Sequence, residues 1–364
     1  MALYKKIRDD IKEKIEKGEY KVGEKIPSIS ELSKIYNVSD IVVKQALKEL
    51  IKEGLLIGVQ GRGVFVKEKE NEKIIGVIFT DIVKNPFFAE IYTGIEKVFS
   101  SNGYHIIVGV SYNNVEKEKK ILKEFIERKV SGIIMTPTEV NRTSSDNNIF
   151  YELKERRIPF IFVDRTIEDI ETDYVTSDNF KGGYIATKYL ISLGHRRIGI
   201  ILGINANTVR ERLQGYKKAL EEENIEFDPM LVKRSYTELQ YDESGYTNTK
   251  ELLHLKNPPT AIFATNDPIA FGVYKTCIEM DIKIPDDLSV IGFDKAHFSS
   301  ILNPVLTTIE QKTEEIGEKA SEILIKRING DKSPIQKIIL DVNIVEGFSC
   351  KKLFKKINVK GGAL

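Results

Sequence analysis

Residues 26–66 read IPSISELSKIYNVSDIVVKQALKELIKEGLLIGVQGRGVFV, and their punctuation sets a local fold. Ile26-Pro27-Ser28 opens a short helix over Ile29 to Tyr36, Asn37-Val38 turns the chain, Ser39 caps a second helix from Asp40 to Glu53, and Gly54 stops it. Serine side chains satisfy the free N–H groups at a helix start, and glycine takes the left-handed conformation that ends one. Leu55–Val59 and Val64–Val66 then flank Gln60-Gly61-Arg62-Gly63, a hairpin whose glycines permit positive φ at its tip. Two helices across a turn followed by a hairpin make a winged helix-turn-helix. Along the second helix Val42, Val43, Ala46, Leu47 and Leu50 recur at three- and four-residue steps, which buries one face. Asp40, Ile41, Lys44, Gln45 and Lys48 remain outside, on the face that would enter a major groove.

Upstream, Leu3, Ile7, Ile11 and Ile15 form a four-residue stripe on a helix over Leu3 to Lys17, suited to packing beneath the other two. Downstream, residues 68–73 carry charge and no apolar side chain, so a linker is expected there, after a first domain of residues 1–67. Residues 1–70 hold 15 Lys and Arg against 12 Asp and Glu, within a chain of net charge +1. So mild a bias excludes a nonspecific DNA coater. Affinity for nucleic acid must come from a shaped surface, used in two copies of the chain.

From Ile74 the pattern changes. Short apolar runs (IIGVIF, YHIIVGV, GIIM, PFIFVD, IGIIL, TAIFAT, SVIGFD) alternate with amphipathic helices, as strands buried on both faces of parallel sheets do. The fold class is α/β, with a two-lobed body over residues 74–350. We expect the lobes in tandem, divided at the loop from Thr166 to Asp173, and a basic tail over 351–364.

In open parallel sheets ligands sit beyond the carboxyl ends of the strands. There the chain places Thr80 and Asp81, then Asn85-Pro86-Phe87-Phe88; Thr136; Asp164-Arg165; Thr265-Asn266-Asp267; and Asp294. Carboxylates, amides, an arginine and two aromatic rings suit a sugar, whose hydroxyls need donors and acceptors and whose C–H faces stack on rings.

Two resemblances sharpen this. Residues 4–66 resemble the GntR-type DNA-binding domain through IRDDIKEKIEKGEYKVGEKIPS, ELSKIYNVS, ALKELIKEGLL and GRGVFV. In that family arginines usually stand at the positions of Ser30, Asp40 and Lys44; only Lys44 keeps the charge here. The expected DNA contacts are Ser28, Ser30, Ser39, Asp40, Lys44, Gln45, Gln60 and Arg62, with double-stranded operator DNA as the partner. Residues from Lys73 to about Ser349 resemble the sugar-binding effector domain of LacI-type regulators through NPFFAEIYTGIE, VDR, SDNFKGGYIATKYLISLGHRRIGII, RERLQGY, PPTAIFATNDPIAFGVY, IPDDLSVIGFD and LTTIEQ. Carried over, that family's ligand contacts fall on Phe87, Phe88, Asp164, Arg165, Arg212, Asn266, Asp267 and Asp294. The pairing of these two parts resembles the arabinose-responsive repressors of Gram-positive bacteria, with PTEVNRTSSDNNIFYELKERRIPF and EMDIKIPDDLSVIGFDKAHF looking like that subgroup. It implies a homodimer that binds an operator and a sugar, L-arabinose or a related pentose.

Other chemistry finds little support. Cys277 and Cys350 lack CxxC or His spacing, and neither a metal nor a cofactor is expected. Gly61-Arg62-Gly63 joins two strands and meets no helix that would receive a phosphate. Gly182-Gly183 opens a helix, where packing explains the glycines as well as an anion would. Of the histidines, His195 reads as structural and His297, close after Asp294, as a possible pocket residue. Asp164 with Asp294 could mimic a glycosidase pair, but no activated nucleophile accompanies them, so no enzyme is expected. No leader or membrane-length apolar run is present, so a cytoplasmic protein without membrane association is expected.

Overall fold

The computed structural model describes residues 3–67, 73–83, 85–234 and 241–353. Residues 68–72 of the expected linker and 354–364 of the expected tail lie outside the described residues. The chain divides into two compact units, residues 1–72 and 73–364.

The first unit runs α1 (Leu3–Glu16), α2 (Ile29–Tyr36), α3 (Asp40–Lys52), β1 (Leu56–Val59) and β2 (Gly63–Val66), with the two strands antiparallel. Ile7 and Ile11 of α1 are buried against Leu32, Val43, Ala46, Leu47 and Leu50, with Ile26, Leu56 and Val66 closing the same core. Only the middle of the α1 stripe is fully inside: Leu3 is exposed and Ile15 half-buried. Ser28 and Glu31 form a reciprocal capping box at α2, and Asn37 ends that helix in the left-handed conformation. Ser39 departs from expectation. It has the extended N-cap backbone, but its hydroxyl makes no capping bond. The neighbouring Asp40 carboxylate instead accepts from the Ser33 hydroxyl at 2.6 Å, which pins the start of α3 to α2.

The second unit continues β3 (Ile74–Phe79), α4 (Pro86–Ser101), β4 (His105–Val110), α5 (Val115–Glu127), β5 (Gly132–Met135), α6 (Asn148–Glu155), β6 (Phe160–Val163), β7 (Asp173–Ser177), α7 (Asn179–Ser192) and β8 (Ile198–Leu202). It ends with α8 (Asn207–Glu222), β9 (Val232–Arg234), α9 (Tyr241–Leu253), β10 (Ala261–Ala264), α10 (Asp267–Glu279), β11 (Ser289–Asp294), β12 (Thr307–Glu310), α11 (Thr313–Ile328), β13 (Lys337–Leu340) and β14 (Asn343–Val345). Two six-stranded sheets result, in the orders β13-β7-β6-β5-β3-β4 and β14-β12-β11-β10-β8-β9. Every pairing in them is parallel except β12 with β14. The two sheets repeat one topology, each reversing its winding beside its first strand, where a ligand crevice forms.

The lobes are not in tandem, which corrects the expectation from sequence. β7 still belongs to the first sheet, so the chain leaves that lobe after Ser177 rather than at residues 166–173. It returns through α11 and β13 and leaves again through β14, giving three crossings. β7 reads DYVTS, with too few apolar residues to mark a strand. Arg327 of α11 then binds both carboxylate oxygens of Asp173 at 2.8 Å, fixing the returning helix to β7.

Paired glycines allow the helices to approach. A Cβ on Gly94 would lie 2.1 Å from the Glu314 carbonyl oxygen, and one on Gly183 would lie 2.1 Å from that of Arg212. Close packing of α7 on α8 therefore accounts for Gly183. His195 is 1% exposed, its ring nitrogens bonded to Thr260 at 2.9 Å and Ser289 at 3.1 Å, a structural bridge between β10 and β11 ends. Burial pushes its pKa down to about 4.

Candidate functional sites

The cleft between the two lobes gathers the polar carboxyl ends of both sheets. Asp164 follows β6 and Asp294 ends β11, the same place in each repeat of the topology. Both have positive φ, +65° and +114°, in side chains that are not glycine. Such backbone costs on the order of 1–3 kcal/mol and persists where the surroundings over-determine it, as at ligand clamps.

Arg212, on the inner face of α8, joins the two carboxylates electrostatically. Its Nε donates to Asn179 Oδ1 at 2.8 Å, its Nη1 to the Thr265 carbonyl at 2.5 Å, and Nη1 lies 3.8 Å from Asp294 Oδ1. The guanidinium stacks 3.6 Å from the centre of the Phe293 ring, a contact favourable to a cation in a dry site. Asp294 also accepts from Gln311 Nε2 at 2.7 Å. Burial raises the pKa of Asp294 well above the usual aspartate range and raises that of Asp164, while Arg212 opposes both shifts. Burial likewise lowers the pKa of Arg212, with Asp294 and Asp164 opposing. A ligand offering hydroxyls to these groups would supply hydrogen bonds in place of lost water.

Arg165 bonds Asn113 at 2.8 Å through Nη1 and lies 3.5 Å from Asp164 through Nε. That Nε, together with the hydroxyls of Thr80 and Thr136, is buried without a hydrogen-bond partner. Unmet buried polar atoms cost about 1–3 kcal/mol each, and of these three the Arg165 Nε is the one on a residue that lines the cavity. Phe87 and Phe88 pack edge to face at 5.2 Å on the first turn of α4, whose N-cap is Asn85. Asn266 caps α10 by accepting from the Ile269 N–H at 2.8 Å, so its amide nitrogen is what it can offer a ligand.

One cavity is lined by Asn85, Phe87, Phe88, Asp164, Arg165, Thr208, Arg212, Tyr241, Asn266 and Asp294, with Gly203, Ile204 and Val209. It measures about 30 Å³, the space of one water molecule, so the lobes and side chains must part to admit a sugar. Seven of the eight candidates from sequence thus come together. Asp267 does not line the cavity. It is fully buried beneath, accepting from Ala296 N at 2.8 Å and Thr308 Oγ1 at 2.7 Å, and packs over Gly292. Burial pushes its carboxyl up to about 7, against the pull of these donors. His297 is also outside, its side chain 90% exposed beside Glu90. Tyr241, Thr208 and Gln311 were not singled out from sequence. Gln311 follows strand β12, so the rule that found the others extends to it; Tyr241 opens a helix and carries no such signal.

The first unit presents a separate surface. Ser30, Ser39, Asp40, Lys44 and Gln45 are exposed around α2 and α3, as are Gln60 and Arg62 at the hairpin tip. Gly61 has φ +75°, and Arg62 N–H donates to Val59 at 3.0 Å to close the tip. Ser28 is exposed too, though its hydroxyl is already used by the cap of α2. Ile41 is 78% exposed beside Lys44 and Gln45, an apolar patch on an otherwise polar face.

Comparison with known proteins joins the two surfaces. Residues 3–66 match the model for bacterial regulatory proteins of the gntR family, and residues 187–350 match that of a periplasmic binding protein-like domain. An arabinose metabolism transcriptional repressor of Halalkalibacterium halodurans is 30% identical over 344 residues, 90% of each chain. A ribose operon repressor of Haemophilus influenzae is 30% identical over 323 residues, covering 87% of this chain and 93% of that one. The crystal structure of a LacI family transcriptional regulator from Enterococcus faecium, with bound ribose, superposes with a TM-score of 0.68 at 31% identity, over 78% of this chain and all of that one. These relatives are transcription regulators, not enzymes. The chain belongs to their family, the DNA-binding transcriptional repressors, as a member in which a gntR-family head is joined to a periplasmic binding protein-like body.

Proposed function

We propose that the protein represses sugar-utilisation genes and leaves its operator when a pentose, L-arabinose first among them, binds between the lobes. The observation that carries this is the cleft itself: Asp164, Arg212 and Asp294 converge with two aromatic rings and the unmet Nε of Arg165 in one cavity between the edges of two sheets. The names of its relatives, an arabinose repressor and a ribose operon repressor, support a pentose.

In this reading Asp164, Arg165, Arg212, Asn266 and Asp294 bind the hydroxyls, Phe87 and Phe88 pack on the C–H face, and Asp267 holds β11 and its following turn in place. Sugar stabilises the closed lobes and lowers operator affinity; a coupling of about 1–3 kcal/mol changes that affinity roughly 5- to 150-fold. On the operator, Lys44, Gln45 and Arg62 read or anchor the duplex, Ile41 meets a thymine methyl, and Ser28, Ser30, Ser39, Asp40 and Gln60 complete the surface. Two heads of a homodimer address half-sites related by a two-fold axis. The protein works in the cytoplasm, without a membrane; among the described residues no helix is long and apolar enough to cross one.

A thermal-shift screen of L-arabinose, D-ribose, D-xylose and D-galactose tests the assignment. A true effector at 100 times its dissociation constant adds about 2.7 kcal/mol of stability. L-arabinose should give the largest shift and release operator DNA; no shift with any of the four would end the sugar reading.

A further inference from the structure

Helix α8 lacks a cap of its own. Its N-cap residue is Ala206, which has no side-chain acceptor for the first N–H groups. The acceptor comes instead from the opposite lobe. Glu139, four residues after β5, accepts from Asn207 N–H through Oε1 at 2.8 Å and from Arg210 Nη2 through Oε2 at 2.8 Å. Thr166 of that same lobe accepts from Asn207 Nδ2 at 3.2 Å. Glu139 is sheltered, its side chain 12% exposed.

The loop that carries Glu139 is itself held rigidly. Buried Glu118 of α5 accepts from Thr138 N–H at 2.6 Å and pairs with Arg142, whose Nε donates to the Thr138 carbonyl at 2.5 Å. Residues 138–142 are thus fixed within their own lobe by a buried ion pair that takes no part in the ligand cavity. A carboxylate at a helix N-terminus satisfies free N–H groups and meets the positive end of the helix dipole. Here the Asn207 N–H takes its acceptor from the opposite lobe.

We propose that Glu139 is a positioning residue: it caps α8 across the cleft, latches the lobes closed, and sets Arg212, five residues further along the same helix, at its place over Phe293. The latch lies outside the cavity that the proposed effector would fill, so it biases closure before any ligand arrives. It deepens the effector reading above, and rests on it only for the sugar measurement.

The test places spin labels on exposed Lys120→Cys of α5 and Lys217→Cys of α8, in the full-length protein with Cys350→Ser and diluted with unlabelled chain. Distances are measured first without sugar. Wild type should show a short interlobe distance, and Glu139→Ala a broader, longer distribution. Glu139→Gln, which keeps an acceptor for Asn207 N–H, should recover part of it, and Arg210→Ala should add nothing in the Glu139→Ala background. L-arabinose should bind Glu139→Ala about 5- to 30-fold more weakly, the factor expected for loss of a cap, and operator affinity without sugar should rise, because the open lobes are the operator-binding state. Identical distances in wild type and both Glu139 variants would overturn the latch. Altered distances with no L-arabinose binding to wild type would support the latch and overturn the effector assignment.

Discussion

Replacing Asp294 by Asn removes an ionisable group at the centre of the cleft while keeping its volume. Two effects of opposite sign are expected, and together they separate a ligand-binding role from a structural one. The carboxylate is 5% exposed, and burial holds its pKa well above the ordinary value, so the folded protein is strained by keeping it ionised. An aspartate with a raised folded pKa contributes stability that is fully present below its unfolded value, near 3.8, and is lost as pH rises through the folded value. At neutral pH the Asn variant should therefore be at least as stable as wild type without sugar, and the difference in its favour should shrink as pH falls toward 4. Loss of the Arg212 counter-charge at 3.8 Å limits the gain but does not reverse it, because Arg212 keeps its bonds to Asn179 and Thr265. Sugar binding should move the other way. Asn replaces one acceptor oxygen by a donor, leaving a ligand hydroxyl mismatched in a buried site at about 1–3 kcal/mol, so L-arabinose should bind roughly 5- to 150-fold more weakly. Titration calorimetry gives the affinity, urea unfolding at pH 7 and pH 4.5 gives the stability, and operator binding without sugar should not change. An affinity within three-fold of wild type, or a marked loss of stability at pH 7, would refute the assignment of Asp294 as a ligand contact.

Three further outcomes follow from other contacts. Gly183→Ala would set a methyl 2.1 Å from the Arg212 carbonyl oxygen, so it should cost about 1–3 kcal/mol in unfolding experiments and weaken sugar binding by displacing α8, without altering operator affinity. His195 is neutral when buried and its pKa is lowered to about 4, so the stability it contributes is present above pH 6.5 and lost as pH falls toward 4; His195→Gln should flatten the acid side of the stability profile in that window. In the head, Lys44→Ala and Arg62→Ala should each weaken operator binding by about ten-fold or more, whereas Asp40→Arg should raise affinity for operator and scrambled duplex alike and steepen the salt dependence, measured by fluorescence anisotropy at two salt concentrations.

How far these sites could be read from sequence depended on whether the signal was local. The bounds of α2 follow from Pro27, Ser28 and Asn37, each acting within one turn of the helix. The strands that were legible, such as IIGVIF and SVIGFD, are continuous apolar runs because both their faces are buried. β7, β12 and β14 read DYVTS, TTIE and NIV, too short or too polar to show that burial, and with them went the three crossings between lobes. Ser39 and Asp267 show another limit. Composition says what a side chain can accept or donate, but the partner was settled by tertiary neighbours: Ser33 took up the carboxylate next to Ser39, and Thr308 with Ala296 enclosed Asp267.

The repeated topology explains why the cleft residues were found and their cooperation was not. FVDR at the end of β6 and GFDK at the end of β11 put an aspartate at positive φ on equivalent strands, but two tetrapeptides are too short to announce a duplication. Each lobe contributes a carboxylate at positive φ, and burial in the closed cleft disfavours its charge. Bringing the lobes together makes Asp164 of one lobe a neighbour of Arg212, which already faces Asp294 within its own lobe, and sets Glu139 on the uncapped α8 across the cleft. The strain and the missing cap are therefore complementary halves of one arrangement, each lobe supplying what the other lacks. A ligand whose hydroxyls complete the remaining donors adds to contacts that already assist closure, so a modest binding energy suffices to move the equilibrium on which operator release depends.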